Sequence, residues 1–517
     1  MADQAKFKKH IDKGYTTKGD YIVMGGAMVN GEAVPETLVK APLKTFNRHG
    51  LIAGATGTGK TKTMQGIAES LSLKGVPSLL MDIKGDLSGL AAAADGHPKI
   101  DERHEKIGTP WEAVEFPVDF LSISKEKGAR LRATILEFGP VLFSKILGLN
   151  DTQGGVVSLV YKYCDDNKLP LVDLKDMRKV LQYITTDGKK EIEAEYGRVS
   201  SASTGAIMRR IIEIEQQDAS RFFGEKSFDV KDLLRKDRKG RGFLNIIRLT
   251  DVQDRPKLFS TFMLSLLAEI YAQFPEEGDM DKPKLVIFID EAHLIFSNAS
   301  KVLLEQIETI VKLIRSKGVG IFFVTQSPVD VPGPVLAQLG MKVQHALRAF
   351  TAKDRKAIKL TAENYPISEY YKTKDELTKL GIGEALITVL SEKGIPTPLV
   401  RTLLIAPRTR MDVLKPKEIK AVIDNSKLVE KYKENIDRKS AHEILTAKIA
   451  KAEKEGEKKS SKTKGRSRSK KKGGIGGAIN STTGRQVMRT VTRELTRGLL
   501  GALGLPTTSR RRKTSWF

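Results

Sequence analysis

Apolar residues fall in short, nearly uninterrupted runs separated by longer amphipathic stretches. Runs at 50–53, 78–82, 243–248, 285–290 and 320–325 are almost wholly apolar, as strands buried on both faces should be, and apolar residues between them recur at three- and four-residue spacing. This alternation predicts an α/β fold with a mainly parallel central sheet covered by helices. Extended runs at 342–348, 385–390 and 398–405 would add further strands. Tyr21-Ile22-Val23-Met24 followed by Gly25-Gly26 reads as a short strand and a turn, so residues 1–45 are expected to form a small β appendage ahead of a core at 46–410. Between about 140 and 235 the period becomes helical throughout, at 142–149, 156–164, 171–184 and 204–217, which predicts a helical insertion.

Past 405 the composition changes. Residues 411–457 read as a charged helical extension, and the Lys/Ser/Gly-rich stretch 458–477 has almost nothing to bury and is expected to be a disordered basic linker. Within 478–517, Val487, Val491, Leu495 and Leu499 form one stripe of a helix and Arg485, Arg489, Arg493 and Arg497 another, a basic amphipathic C-terminal helix. Residues 438–517 hold 22 Lys/Arg against 5 Asp/Glu, so +17 of the net +25 sits in this tail and the rest is only mildly basic at +8. Such a tail seeks polyanions without reading a sequence; docking on a partner subunit is favoured over membrane contact. A hydrophobic share of 40% over 517 residues supports ordinary cores, and the single cysteine, Cys164, excludes an internal disulfide and a thiolate metal cluster. No run reaches 18 uncharged apolar residues and the first ten residues lack a signal-peptide core, so the expected compartment is the cytoplasm.

Gly54-Ala55-Thr56-Gly57-Thr58-Gly59-Lys60-Thr61 satisfies every position of G-x-x-x-x-G-K-[ST], between an apolar run and a helix-compatible stretch beginning near Lys62. Small residues let backbone N–H groups curl round a β-phosphate, Lys60 reaches the β/γ oxygens, and the Thr61 hydroxyl ligates Mg²⁺ at the helix N-terminus. Gly54 to Lys62 are therefore the expected ATP-binding segment. Leu285-Val286-Ile287-Phe288-Ile289-Asp290-Glu291 delivers an acidic pair from a buried strand: Asp290 to the Mg²⁺ shell, Glu291 to polarise the attacking water. Gln326 ends a third buried run and is a candidate to sense the γ-phosphate or orient water; an ordinary strand-end amide is the alternative. Asp82 and Lys84, after the strand at 78–82, are expected near the nucleotide edge. His293 reads as a neighbour of the acidic pair, since no cluster of ligand residues surrounds it. Asp290-Glu291-Ala292-His293 does not make a two-domain DEAH helicase, because no Gln-x-x-Gly-Arg-x-Gly-Arg string accompanies it.

The phosphate loop, 81–86, 282–296, Ile314-Arg315-Ser316-Lys317-Gly318-Val319-Gly320, Thr325-Gln326 and 342–350 together resemble the HerA-like ATPases, in particular the YjgR-type bacterial branch, over residues 20–410. The resemblance implies a RecA-like P-loop NTPase fold related to HerA and FtsK pumps, a hexameric ring, and ATP hydrolysis coupled to movement along duplex DNA. It maps Lys60, Thr61, Asp290 and Glu291 onto the family's motif without adjustment. Ring ATPases also need a cation from a neighbouring subunit, for which Arg209, Arg210, Arg315 and Arg348 are candidates beside ordinary surface roles. HerA-type helicases carry an N-terminal β-barrel for assembly and partner docking, whereas residues 1–45 are all that precede the core here, which puts a nuclease partnership in doubt. The competing functions are a nucleotide-controlled scaffold without translocation and a motor for protein or secretion substrates.

Overall fold

The computed structural model describes residues 3–278, 280–297 and 301–462. Twelve strands among them form one sheet: β1 Tyr21–Val29, β2 Glu32–Pro42, β3 Gly50–Ala53, β4 Ser78–Asp82, β5 Val118–Ser122, β6 Ala129–Arg130, β7 Leu244–Arg248, β8 Leu285–Ile289, β9 Val319–Thr325, β10 Met341–Gln344, β11 Glu384–Thr388 and β12 Val400–Leu404. Their order is β2-β1-β12-β11-β10-β3-β9-β8-β4-β7-β5-β6. From β10 through β6 every neighbouring pair is parallel, whereas β11, β12, β1 and β2 continue the sheet as antiparallel strands. The fold is thus the α/β, mainly parallel arrangement that the apolar runs predict, and the RecA-like one that the family resemblance implies.

The central strands have no solvent-facing side. Every residue of β3, β4, β8 and β9 is buried, which is why their sequences show no polar alternation. Packing is close enough to dictate two glycines: a Cβ on Gly320 would lie 2.1 Å from the Phe46 carbonyl oxygen, and one on Gly50 would lie 2.3 Å from the Phe322 ring. One compact unit contains the whole sheet and comprises the chain to Leu131 plus Asp229–Lys433.

Three local expectations change. Gly25-Gly26 does not turn the chain; β1 runs through the pair to Val29, where Gly25 and Gly26 face Leu404 and Leu403 of β12. The reversal comes at Asn30-Gly31, with φ of 55° and 89°, the left-handed pair that tight hairpins require. Residues 21–42, expected as a separate appendage, therefore supply two strands of the main sheet. The run at 342–348 is strand only as far as Gln344, because the chain there turns across the phosphate loop: His345 N–H donates to the Ala53 carbonyl, and the Ala346 carbonyl accepts from Ala55 N–H.

The described part of the second unit, Arg132–Phe228 with 434–462, is helical, with helices at Ile135–Ile146, Asp151–Asp166, Leu174–Thr185, Lys189–Glu195, Ser201–Glu215 and Ala441–Lys462. Capping boxes start three of them, at Thr134/Glu137, Asn150/Gln153 and Asp173/Asp176. Phe138, Phe143, Phe222 and Phe223 pack edge-on and tilted in its core. The last helix covers 458–462, the first five positions of the stretch expected as linker. The remainder of that linker and the basic C-terminal helix lie outside the described residues. Among the described residues no helix is long and apolar enough to cross a membrane.

Candidate functional site

The chemistry collects at the C-terminal edge of the parallel strands. β3 ends at Ala53 beside Thr325 of β9, and β9 also lies beside β8. From there two loops are tied to consecutive carbonyls of β9: the Thr325 carbonyl accepts from Gly54 N–H (3.3 Å), and the Val324 carbonyl accepts from Ala292 N–H (2.9 Å). One strand end therefore holds both the start of the phosphate loop and the residue after the acidic pair.

Glycines shape the loop. Gly57 (φ 78°) and Gly59 (φ 108°) are left-handed, and Gly59 begins the helix Lys60–Leu73. Gly54 is required for a different reason, since a Cβ there would come within 2.4 Å of the His345 side chain. Lys60, buried to 7% exposure, folds over the loop, its Nζ donating to the carbonyls of Gly54 (2.6 Å) and Ala55 (3.1 Å). Thr58 Oγ1 donates to the Ala55 carbonyl (2.7 Å), while Thr56 and Gly57 are exposed at the tip. Thr61 is half-buried in the first helical turn. The Lys62 amine is engaged by the Met411 carbonyl and the Gln65 side chain rather than by the loop.

Asp290 and Glu291 are both buried. Asp290 Oδ1 accepts from Glu291 N–H (2.9 Å), while Oδ2 is buried without a hydrogen-bond partner among the described residues. Desolvation first, and the adjoining Glu291 charge second, push the Asp290 carboxyl up to about 7. Glu291 sits at φ +46°, a left-handed conformation that costs a non-glycine residue about 1 kcal/mol or more. Its carboxylate pairs with the Lys84 amine through Oε1 and lies 3.1 Å from His293 Nδ1 through Oε2. Burial lowers the Lys60 amine, Lys84 lowers it further, and Glu291 and Asp290 raise it, so all four charges share one electrostatic neighbourhood.

Asp82 builds the neighbouring wall. Its Oδ1 accepts from Gly85 N–H (2.7 Å) and Asp86 N–H (3.0 Å) and its Oδ2 from Leu87 N–H (3.4 Å), folding the 83–87 loop that carries Lys84. Burial pushes this carboxyl up to about 6 despite those bonds. Sequence reasoning gives no role to His345, which wedges behind the loop: fully buried, with Nε2 2.9 Å from Thr63 Oγ1 and Nδ1 without a hydrogen-bond partner among the described residues. Desolvation first, and Lys60 second, lower it to about 4, so it is a neutral prop.

The remaining candidates do not all meet here. Gln326 follows β9 at the same edge, with its side chain exposed. Arg348 is exposed four residues beyond the end of β10, not at a strand end. Arg315 precedes the N-terminus of β9, and because β9 runs parallel to β3 it lies at the opposite edge of the sheet from the phosphate loop of its own chain. Arg209 and Arg210 belong to the helical unit; both are exposed, and Arg210 pairs with Glu213 at 3.1 Å.

The donor set fits magnesium brought in by a triphosphate. No cluster of three His, Cys, Asp or Glu that could hold a metal by itself occurs among the described residues. Mg²⁺ is ordinarily held by one or two protein oxygens, waters and phosphate oxygens. Asp290 Oδ2, buried with no hydrogen-bond partner among the described residues, and the hydroxyl of half-buried Thr61 are oxygens of the kind magnesium takes.

The family described as "Helicase HerA-like C-terminal" matches residues 28–511. A probable helicase of Methanocaldococcus jannaschii, MJECL08, is 27% identical over 281 residues, which are 47% of this chain and 50% of that protein. The chain thus spans about half the length of the curated relative it matches. Among solved structures, the unbound bacterial conjugative coupling protein TrwBdeltaN70 superposes with a TM-score of 0.50 at 16% identity, covering 80% of this chain and 95% of that one. Its trigonal form in complex with sulphate gives the same score and coverage. These structural likenesses concern the fold. The match over nearly the whole length, together with the complete phosphate loop and the acidic strand two places along the sheet, places this chain in the HerA-like family of P-loop ATPases.

Proposed function

We propose that this chain hydrolyses ATP with Mg²⁺ at the C-terminal edge of its parallel strands and uses the energy as an oligomeric motor on duplex DNA. The observation that supports the reading most strongly is the pair of hydrogen bonds by which Val324 and Thr325 draw the acidic turn and the phosphate loop to one strand end. On this reading the Lys60 amine exchanges the Gly54 and Ala55 carbonyls for β/γ-phosphate oxygens. The loop N–H groups hold the β-phosphate, and Asp290 and Thr61 hold the magnesium, which neutralises phosphate charge when bound. Glu291 orients and polarises the water, with its carboxylate accepting the water's proton as attack proceeds. Gln326, which follows β9 at the same edge, would assist in orienting that water.

A ring would complete the site from a neighbouring copy. Arg348, Arg209 and Arg210 are exposed and so available to another subunit, and Arg315 would serve in trans from the opposite sheet edge of its own chain. The mildly basic body and strongly basic tail favour a nucleic-acid partner held through phosphates. With its lone cysteine buried and unpaired, the protein is assigned to the reducing cytoplasm.

The test is turnover with and without long duplex DNA. Glu291→Gln should lower hydrolysis by about 10²- to 10⁴-fold while nucleotide still binds, and Lys60→Ala should abolish binding. Parental turnover by Glu291→Gln would refute the base assignment. A rate that duplex DNA leaves unchanged would refute the DNA motor.

A further inference from the structure

The carboxylate assigned to the attacking water is already occupied. Lys84 holds Oε1 of Glu291, His293 faces Oε2, and the residue is 5% exposed in a strained backbone conformation. Lys84 itself is differently built. Its backbone lies in the loop that Asp82 pins through three N–H groups, yet its side chain remains 41% exposed. It is a long flexible arm on a fixed base, ending in a compact charge that satisfies a carboxylate or a phosphate oxygen equally well. Its charge is also felt at the phosphate loop, where it is the second-largest influence on the Lys60 amine. The ammonium groups of Lys60 and Lys84 thus share the field of Asp290 and Glu291.

We propose that Lys84 is a positioning residue that holds Glu291 in an ion pair until a γ-phosphate competes for its amine, so that arrival of the triphosphate itself releases the carboxylate toward water. The proposal rests on the ATPase reading above and adds to it a competition: Glu291 and the γ-phosphate cannot both own Lys84. A diphosphate would leave the pair intact, so discrimination between ATP and ADP is built into the same contact.

A binding cycle tests this without turnover. Affinities for a fluorescent non-hydrolysable ATP analogue and for the equally labelled ADP, both with Mg²⁺, are measured for the parent, Glu291→Gln, Lys84→Ala, the double variant and Lys84→Arg, each checked for folding by circular dichroism. Breaking the pair with Glu291→Gln should tighten the triphosphate analogue about tenfold, equivalent to about 1.4 kcal/mol, and change ADP less than about twofold. In the Lys84→Ala background the same substitution should gain nothing, while Lys84→Arg should keep the gain. Removing a negative charge by itself would tighten the analogue in both backgrounds, and that result, or equal gains for ADP, would overturn the proposal. The two readings fail separately. Hydrolysis by Glu291→Gln at the parental rate defeats the base assignment, whereas a dead Glu291→Gln whose gain persists without Lys84 defeats only the competition.

Discussion

Glu69 and Asp290 are both acidic and almost wholly buried, at 1% and 2% exposure, yet their surroundings differ. Glu69, in the phosphate-loop helix, accepts hydrogen bonds from Arg408 N–H (2.7 Å), Thr409 N–H (3.2 Å) and the Thr409 hydroxyl. Asp290 accepts one bond on Oδ1 and none on Oδ2. Burial raises both carboxyls, so a perturbed proton affinity does not separate them. Satisfaction does. A buried acceptor with every partner in place ties helix to loop, whereas a carboxylate oxygen left open at the strand edge that carries the phosphate loop has capacity for a further ligand. The Arg401 network makes the same point on the antiparallel side: its guanidinium joins Glu376 and Glu384, both largely buried, so that each carboxylate has a partner.

The sharpest way to break this comparison is to neutralise each carboxylate in turn. Asp290 has a folded-state proton affinity above its unfolded one, so the native state holds a proton that the unfolded chain has lost between about pH 4 and pH 7. Parental stability should therefore fall across that window and level off above it. Asp290→Asn removes the penalty and should be more stable than the parent at pH 8, by up to about 4 kcal/mol, with the gap closing toward pH 4. Glu69→Ala should act in the opposite direction, destabilising by about 1–3 kcal/mol because it strands the donors of 408–409. Denaturant titrations of both variants at pH 4.5 and pH 8 measure both effects. Equal destabilisation by the two would erase the distinction.

A smaller effect sharpens it. Arg210 is exposed and pairs across one helical turn with Glu213, so Arg210→Ala should change stability by less than about 0.5 kcal/mol. Hydrolysis by the assembled protein is then the informative readout. A loss of about 10³-fold would mark Arg210 as the cation supplied between subunits, and parental activity would leave that role to Arg348, Arg209 or Arg315.

What the sequence discloses follows the range of the interactions. β8 and β9 are legible because a strand buried on both faces must be apolar at every position, and the phosphate loop because backbone curvature demands small residues at fixed spacing. Asn30-Gly31 carries the hairpin signal just as plainly, and Gly25-Gly26 misleads because glycine serves close strand packing as well as turns. β5 and β6 are hidden by brevity and by the half-polar run Val118-Asp119-Phe120, in which Asp119 is matched by Arg235 and Ser426 from distant parts of the chain. His345 meeting Thr63, and Lys84 meeting Glu291, join residues hundreds of positions apart. No period or spacing encodes such a contact, and only the strand order β10-β3-β9-β8-β4 makes it.

The most direct measurement replaces Mg²⁺ by Mn²⁺ and follows the paramagnetic ion with a non-hydrolysable ATP analogue present. Phosphorus hyperfine coupling should appear in the parent. Thr61→Ala and Asp290→Ala, one from each of the two loops anchored on β9, should each weaken Mn²⁺ binding by roughly tenfold to a hundredfold. Unchanged Mn²⁺ affinity and coupling in Asp290→Ala would mean that the acidic strand and the phosphate loop do not share one metal-triphosphate.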